Sequence, residues 1–377
     1  MKNERSAITN RLYKEIAKIN KTILIIFFNL FISLYLSMMT NKINLFSIWL
    51  LILGVLVISI IIIGGYTRIS DSGLSITEWE PISGVLYPFS SQSWLNEFSK
   101  YKLTDEFKLI NSNMTLEEFK FIYFWEWFHR FFARIIGVIF LIPLMFIIFK
   151  KQFPMQYTAN IFLIGFFLMT QAVVGWYMVK SGLVDRVDVS QYRLSLHLTL
   201  AFIILGLIFY TLLMFFSERF DYYDFMKIDK ILLSLFILIF FQIIYGAFVS
   251  GTDSGLLYNT WPSYNGNLLP NFMIVNNEYI KNFFENKELI LFVHRTFAVI
   301  LFGVVIYLNF LIISNFVQIQ TLILIILFDI IFLIQGAIGV FMTFQNIPWH
   351  LALAHQGNSI ILFLLSLYMW FLSRKPS

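Results

Sequence analysis

The stretch GGYTRISDSGLSITEW (64–79) recurs 182 residues later as GAFVSGTDSGLLYNTW (246–261). The match superimposes Gly64 on Gly246, Asp71 on Asp253 and Trp79 on Trp261. Further along, HRFFA (129–133) pairs with HRTFA (294–298) at an offset of 165. Gln171 and Gly175 pair with Gln335 and Gly339 at 164, and His197 pairs with His355 at 158. The offset falls by 17 across one loop, because 66–120 is longer than 251–288. Ordered matches with gaps confined to loops mark a tandem duplication, in which two units of like orientation lie side by side in a membrane.

The solvent follows from composition. Of 377 residues, 59% are hydrophobic and 13% charged, where a soluble domain carries about 25% charged residues. Water-soluble enzymes, disordered chains and most nucleic-acid binders are excluded. With no Cys, so are disulfides, iron–sulfur clusters and thiol nucleophiles. A spanning helix needs about 20 apolar residues. Such stretches occur at 44–65, 121–149, 158–179, 194–216, 231–250, 289–313, 320–343 and 351–372. The expected fold is an all-α integral membrane protein of eight transmembrane helices, arranged as two tandem four-helix bundles (44–216 and 217–377) after a basic extension (1–43).

Lys2, Arg5, Arg11, Lys14, Lys18, Lys21, Lys150–Lys151, the 217–230 loop and Arg374–Lys375 fall on one face if there are eight spans. The positive-inside rule makes that face cytoplasmic, with both termini on it. The acidic 66–120 loop then lies outside. A ninth apolar stretch, 22–39, would place the basic N-terminus outside if it spanned, so it is expected to lie at the interface as a membrane-associated helix. Glu4 and Glu15 make a poor transit peptide, which favours a bacterial plasma (inner) membrane.

His129 lies near the start of the second span, and His197, His294 and His355 open the fourth, sixth and eighth. All four share one depth, two per repeat. Paired imidazoles from two helices suit the axial positions of a haem, and Phe-rich surroundings can bury the macrocycle. The alternative for any one of them is a polar contact between helices. Tetrahedral zinc would want more ligands than two His per repeat. His350 has no counterpart in the first repeat and reads as structural or solvated, in the short loop before the last span.

Glu126 precedes His129 by three residues, on the same helix face, where the second repeat has Leu291. A carboxylate near the membrane boundary is costly unless it is used or paired. Either it serves chemistry confined to the first repeat, or it pairs with Arg130 or caps its helix. Arg68, Arg130, Arg134, Arg193 and Arg295 lie near the histidines; each could grip a haem propionate or reach to lipid phosphate. The turns SDSGL (70–74) and TDSGL (252–256) are expected to use Gly for left-handed backbone and Asp as an acceptor of backbone N–H groups. Trp79, Trp94, Trp125, Trp127, Trp176 and Trp261 gather near the outer boundary, and Trp79 and Trp261 could cap two cofactor pockets.

The chain resembles the haem A synthase family in its proteobacterial and mitochondrial branch. The resemblance rests on GGYTRISDSGLSITEWEPISG (64–84), EFKFIYFWEWFHR (118–130), GWYMVKSGL (175–183), SQYRLSLHL (190–198), YGAFVSGTDSGLLYNTWP (245–262), FVHR (292–295) and ALAHQ (352–356). It implies oxidation of the C8 methyl of haem O, through hydroxymethyl and gem-diol stages, to the formyl group of haem A for terminal oxidases. It further implies a permanent haem b on His294 and His355, a substrate haem site at His129 and His197, and catalysis at Glu126 of the ExxH motif. Candidate partners are the lipid bilayer, haem O, haem O synthase as its donor, an electron acceptor and a second copy of the chain; nucleic acid is not one. The chain departs from the family's HRxxGR pattern at Ala133, and its lack of Cys removes any loop thiol from the mechanism. The competing readings are a di-haem b electron-transfer protein and a non-enzymatic haem carrier or oxidase-assembly factor.

Overall fold

The computed structural model describes residues 44–80, 83–183, 188–217, 228–270, 279–314 and 319–374. The stretch 22–39 lies outside them. Eleven α-helices follow in order among these residues: α1 Leu45–Ile69, α2 Ser91–Tyr101, α3 Asp105–Leu109, α4 Leu116–Phe149, α5 Thr158–Gly182, α6 Gln191–Phe215, α7 Asp229–Gly251, α8 Tyr279–Glu285, α9 Lys287–Ser314, α10 Ile319–Phe344 and α11 Trp349–Leu372. Eight of them, α1, α4–α7 and α9–α11, are long and apolar enough to cross a membrane. The chain is an all-α membrane protein. Lipid offers the backbone no hydrogen-bond partner, so each span satisfies its own groups as a helix. Val55, Phe162, Met169 and Ile313 stand exposed on the bundle's outside, a surface suited to acyl chains and not to water.

Contacts within the bundle match between the repeats for the third and fourth spans of each. The pairs α5–α6 and α10–α11 pack side by side, as do α7–α9, α6–α7, α7–α11 and α6–α11. The fourth and eighth spans, which the repeat makes equivalent, therefore touch. Phe363 of α11 is their meeting point, with Phe202 of α6 edge-on at 5.2 Å and Phe236 and Phe240 of α7 at 5.3 and 5.9 Å. The first span joins this centre through Gln356 of α11, whose amide donates to the Ile61 carbonyl at 2.8 Å.

The α4 helix is the longest, at 34 residues, or about 51 Å at 1.5 Å per residue. That exceeds the roughly 30 Å of hydrocarbon. Thr115 starts it with a capping box closed by Glu118. Its first turns pack against the long loop before it, where Trp94, Phe98 and Tyr101 of α2 meet Phe119, Ile122 and Tyr123. This aromatic cluster fixes the loop over the end of the helix that carries Glu126 and His129.

The repeated turns differ from expectation in one respect. The left-handed residue is the Asp in each, Asp71 at φ 47° and Asp253 at φ 54°, and not the neighbouring Gly. Asp tolerates this region better than most residues. Gly255 has another reason to lack a side chain, since a Cβ there would lie 2.5 Å from Ile347 Cδ1. His350 also sits differently: it is exposed in the first turn of α11 and not in a loop, with its ring edge-on to Trp349.

One cation joins the two turns. Arg68, at the end of α1, bonds Asp71 at 3.0 Å and Asp253 at 2.8 Å, and donates to the Ser250 carbonyl at 2.8 Å. Ser250 is its own counterpart under the 182-residue offset. Replacing Arg68 by Gln should lower stability by about 1 kcal/mol, a modest figure because the pairs are partly exposed. Adding Asp253→Asn should recover part of that loss in thermal denaturation in detergent. Strict additivity of the two substitutions would show that the bridge carries no coupling.

Candidate functional site

The four histidines are held alike. His129 of α4 packs on Gly64 of α1, His197 of α6 on Gly175 of α5, His294 of α9 on Gly246 of α7, and His355 of α11 on Gly339 of α10. A Cβ at these glycines would stand 3.0, 3.0, 3.3 and 3.1 Å from the ring Cε1 in turn. Each imidazole thus lies in a notch that only glycine opens, cut in the span preceding its own. Helical glycine costs roughly 0.5–1 kcal/mol relative to alanine, so four such notches in register with four histidines have a steric purpose.

The rings are half-buried, while each Nδ1 is buried without a hydrogen-bond partner. Buried polar atoms are ordinarily paired, so four orphaned ring nitrogens mark places where another group belongs. His129 and His197 face each other with ring centres 6.4 Å apart and planes inclined at 58°. An ion bound at about 2 Å to one nitrogen of each ring, as in imidazole ligation, would bring the ring centres to about that separation. His294 and His355 are seated on glycines in the same way in the second repeat. The donor set, two imidazoles in an apolar bundle per site, fits a haem.

Glu126 is buried at 3% exposure and bonded at both oxygens. Arg130, one turn on, donates to Oε1 at 2.5 Å; Ser75 Oγ and the Ile76 amide donate to Oε2 at 2.8 and 2.9 Å. Arg130 also donates to the carbonyls of Ile76 and Glu78 at 3.0 and 3.1 Å. The pairing with Arg130, one of the two uses open from the sequence, is present. It pins residues 75–78 across the start of the second span, beside His129.

The other arginines divide. Arg68 is committed to its two aspartates, and Arg134 donates to the Glu80 carbonyl at 2.8 Å. Arg193 lies over Tyr177 at 4.7 Å and Arg295 over Tyr264 at 4.9 Å, and in both the Nη1 is buried without a partner. Trp79 approaches Trp176 at 5.9 Å, and both Trp79 and Trp261 keep substantial exposure.

Two polar residues escaped the sequence reading. Gln242 of α7 donates to the His294 carbonyl at 3.0 Å and stands 3.4 Å from His294 Nε2. Asn358 of α11 donates to the Ile331 carbonyl and to Gln335 Oε1, at 3.0 and 2.9 Å. Their repeat counterparts are Ile60 and Leu200. A polar residue in a span opposite an apolar equivalent marks both, as it marks Glu126.

Eight apolar spans, four glycine-seated imidazoles and one clamped carboxylate define a multi-span membrane protein whose buried polar groups gather at a few sites. The model of the COX15-CtaA family, described as cytochrome oxidase assembly protein, matches residues 47–367. A protein named heme A synthase from Wolbachia pipientis wMel is 39% identical over 340 residues, covering 88% of this chain and 93% of its own length. A namesake from Maricaulis maris is 40% identical over 86% of this chain and 95% of its own. Another from Pelagibacter ubique is 37% identical over 85% and 94%. The chain belongs to the COX15-CtaA family.

Replacing Ser75 by Ala removes one donor to the buried carboxylate and should cost about 1.5–3 kcal/mol, the range for hydrogen bonds to charged groups. Thermal unfolding in detergent measures it. A loss no larger than that of an exposed Ser→Ala control would mean that Ser75 does not hold Glu126.

Proposed function

We propose that the chain is a haem A synthase of a bacterial inner membrane, oxidising the C8 methyl of haem O to a formyl group. The observation that carries this reading is the one-sided carboxylate. Glu126 is clamped three residues before His129, while the second repeat has Leu291 there. A di-haem carrier of electrons would have no use for that difference. The names of the relatives agree with it.

In this reading residues 44–216 form the reaction unit, with His129 and His197 receiving the substrate haem. Residues 217–377 form the cofactor unit, with His294 and His355 holding a resident haem b. Haem b, when bound, supplies one-electron transfer. Gln242 fixes the α9 backbone at His294, and Asn358 with Gln335 braces α10 against α11 beside His355. The free Nη1 atoms of Arg193 and Arg295 suit haem propionates, one in each unit. Both termini lie in the cytoplasm, because the basic loops collect on that face.

Glu126 acts as a fixed negative charge. Three donors hold it before substrate arrives, so no reorganisation is needed when positive character develops on the carbon being oxidised. Arg130 pairs with the carboxylate, and Ser75 and the Ile76 amide set its direction.

Pigment extraction from cells expressing the protein with a source of haem O tests the activity. Haem A or its hydroxylated precursor is the expected product; haem O alone would leave a haem carrier. Glu126→Ala should retain haem b and lose haem A formation, and a variant that still makes haem A at the normal rate would remove Glu126 from the mechanism. His294→Ala and His355→Ala should each deplete bound haem b in the purified protein, whereas His129→Ala should mainly abolish conversion. Equal haem loss in all three would refute the specialisation of the two units.

A further inference from the structure

The long loop before α4 holds a second buried carboxyl for which the reaction as described has no use. Glu106 in α3 is 6% exposed, and its Oε2 is buried without a hydrogen-bond partner. Tyr101 of α2, fully buried and stacked on Phe119 of α4 at 5.1 Å, shares Asn111 with it. Asn111 Nδ2 donates to the Tyr101 hydroxyl at 2.8 Å and lies 3.5 Å from Glu106 Oε1. The backbone fixes the position: Thr104 caps α3, and the amides of Ile110 and Asn111 both bond the Glu106 carbonyl.

Two carboxylates face Glu106, Glu126 from α4 with its partner Arg130 and Asp71 from the turn after α1 with its partner Arg68, while the neutral Tyr101 phenol of α2 acts in the opposite sense. On α3 itself, Asp105 and Lys108 pair at the surface 4.0 Å apart. Burial first, then Glu126, pushes the Glu106 carboxyl up to about 8. An apolar side chain would fill this aromatic pocket without the cost of a buried acid. The acid also lies in the loop that is 17 residues longer than its repeat counterpart, on the unit that carries Glu126. Buried acids with displaced proton affinity concentrate at working sites.

We propose that Glu106 is a positioning residue acting through Glu126. As a neutral acid it seals α2 and α3 onto the start of α4, and it leaves Glu126 the single negative charge that Arg130 must balance. As a carboxylate it adds a second negative charge near Glu126 and loosens the insert. The step is a simple ionisation, in which the carboxyl proton passes to water. Because the folded-state affinity is raised, this stabilisation is complete below the ordinary carboxylate range and is lost as pH rises through about 8.

The effect on activity rests on the haem A synthase reading; the coupling of the two carboxyls does not. Infrared difference spectra of the purified holoprotein should show a protonated carboxyl band at pH 7 that disappears around pH 8 and is absent in Glu106→Gln. In Glu126→Gln, which leaves Glu106 intact, the midpoint of that band should move to lower pH, since a like charge has been removed. Conversion of haem O should fall above pH 8 in the wild type and stay level in Glu106→Gln, with bound haem b unchanged in both. No band lost in Glu106→Gln, an unmoved midpoint in Glu126→Gln, or superimposable pH profiles would each overturn the proposal. The band and its shift without haem A from any variant would uphold the coupling and reject the synthase reading instead.

Discussion

A carboxylate buried beside a membrane must be neutralised where it stands, and around Glu126 the whole first long loop is organised to do so. Arg130 supplies the charge from the same helix, one turn away. Residues 75 and 76 supply the remaining donors from a segment some fifty positions earlier. The loop therefore cannot drift from α4 without stranding an ion, an outcome far costlier than the loss of an ordinary surface contact. The aromatic cluster between α2 and α4 holds the same joint from the side, so charge and packing close one lid.

Beneath that joint the duplication sets the geometry. Four histidines sit against four glycines, always between a span and the one before it. The arrangement fixes where each imidazole lies without spending a hydrogen bond on its Nδ1. What differs between the units is the polar detail around those common seats: Glu126 against Leu291, and Gln242 against Ile60. The two copies thus share a backbone and diverge in the polar side chains around a common seat.

Much of this was legible in the residues. All eight apolar stretches became helices, because in lipid length and hydrophobicity leave no other local solution. The His pairs and the lone Glu stood out because polar groups in such segments are expensive and few. The glycines were visible as repeat matches, but their role as seats was not, since it depends on which faces of neighbouring helices meet. Arg68 shows the opposite limit. Its partners Ser250 and Asp253 lie more than 180 residues away, and no local pattern links them. The left-handed Asp in place of Gly was missed because the turn rule names the commonest residue for that backbone, while the neighbouring Gly255 was needed to clear Ile347. The buried state of Glu106 was hidden too, since DEFKL reads as a solvated turn until the aromatic residues of α2 close over it.

The Arg68 bridge also bears on the history of the chain. In a duplicated unit each copy of the DSGL turn would have had to satisfy its own aspartate. Here a single guanidinium serves both, and the position that would have carried its twin is a serine contributing only a carbonyl. The first copy still satisfies its own aspartate, while the second borrows its cation from the first. Divergence at one residue has made the dependence one-sided, so that a gene split between the fourth and fifth spans would leave the second fragment's turn without its cation and the first fragment's intact.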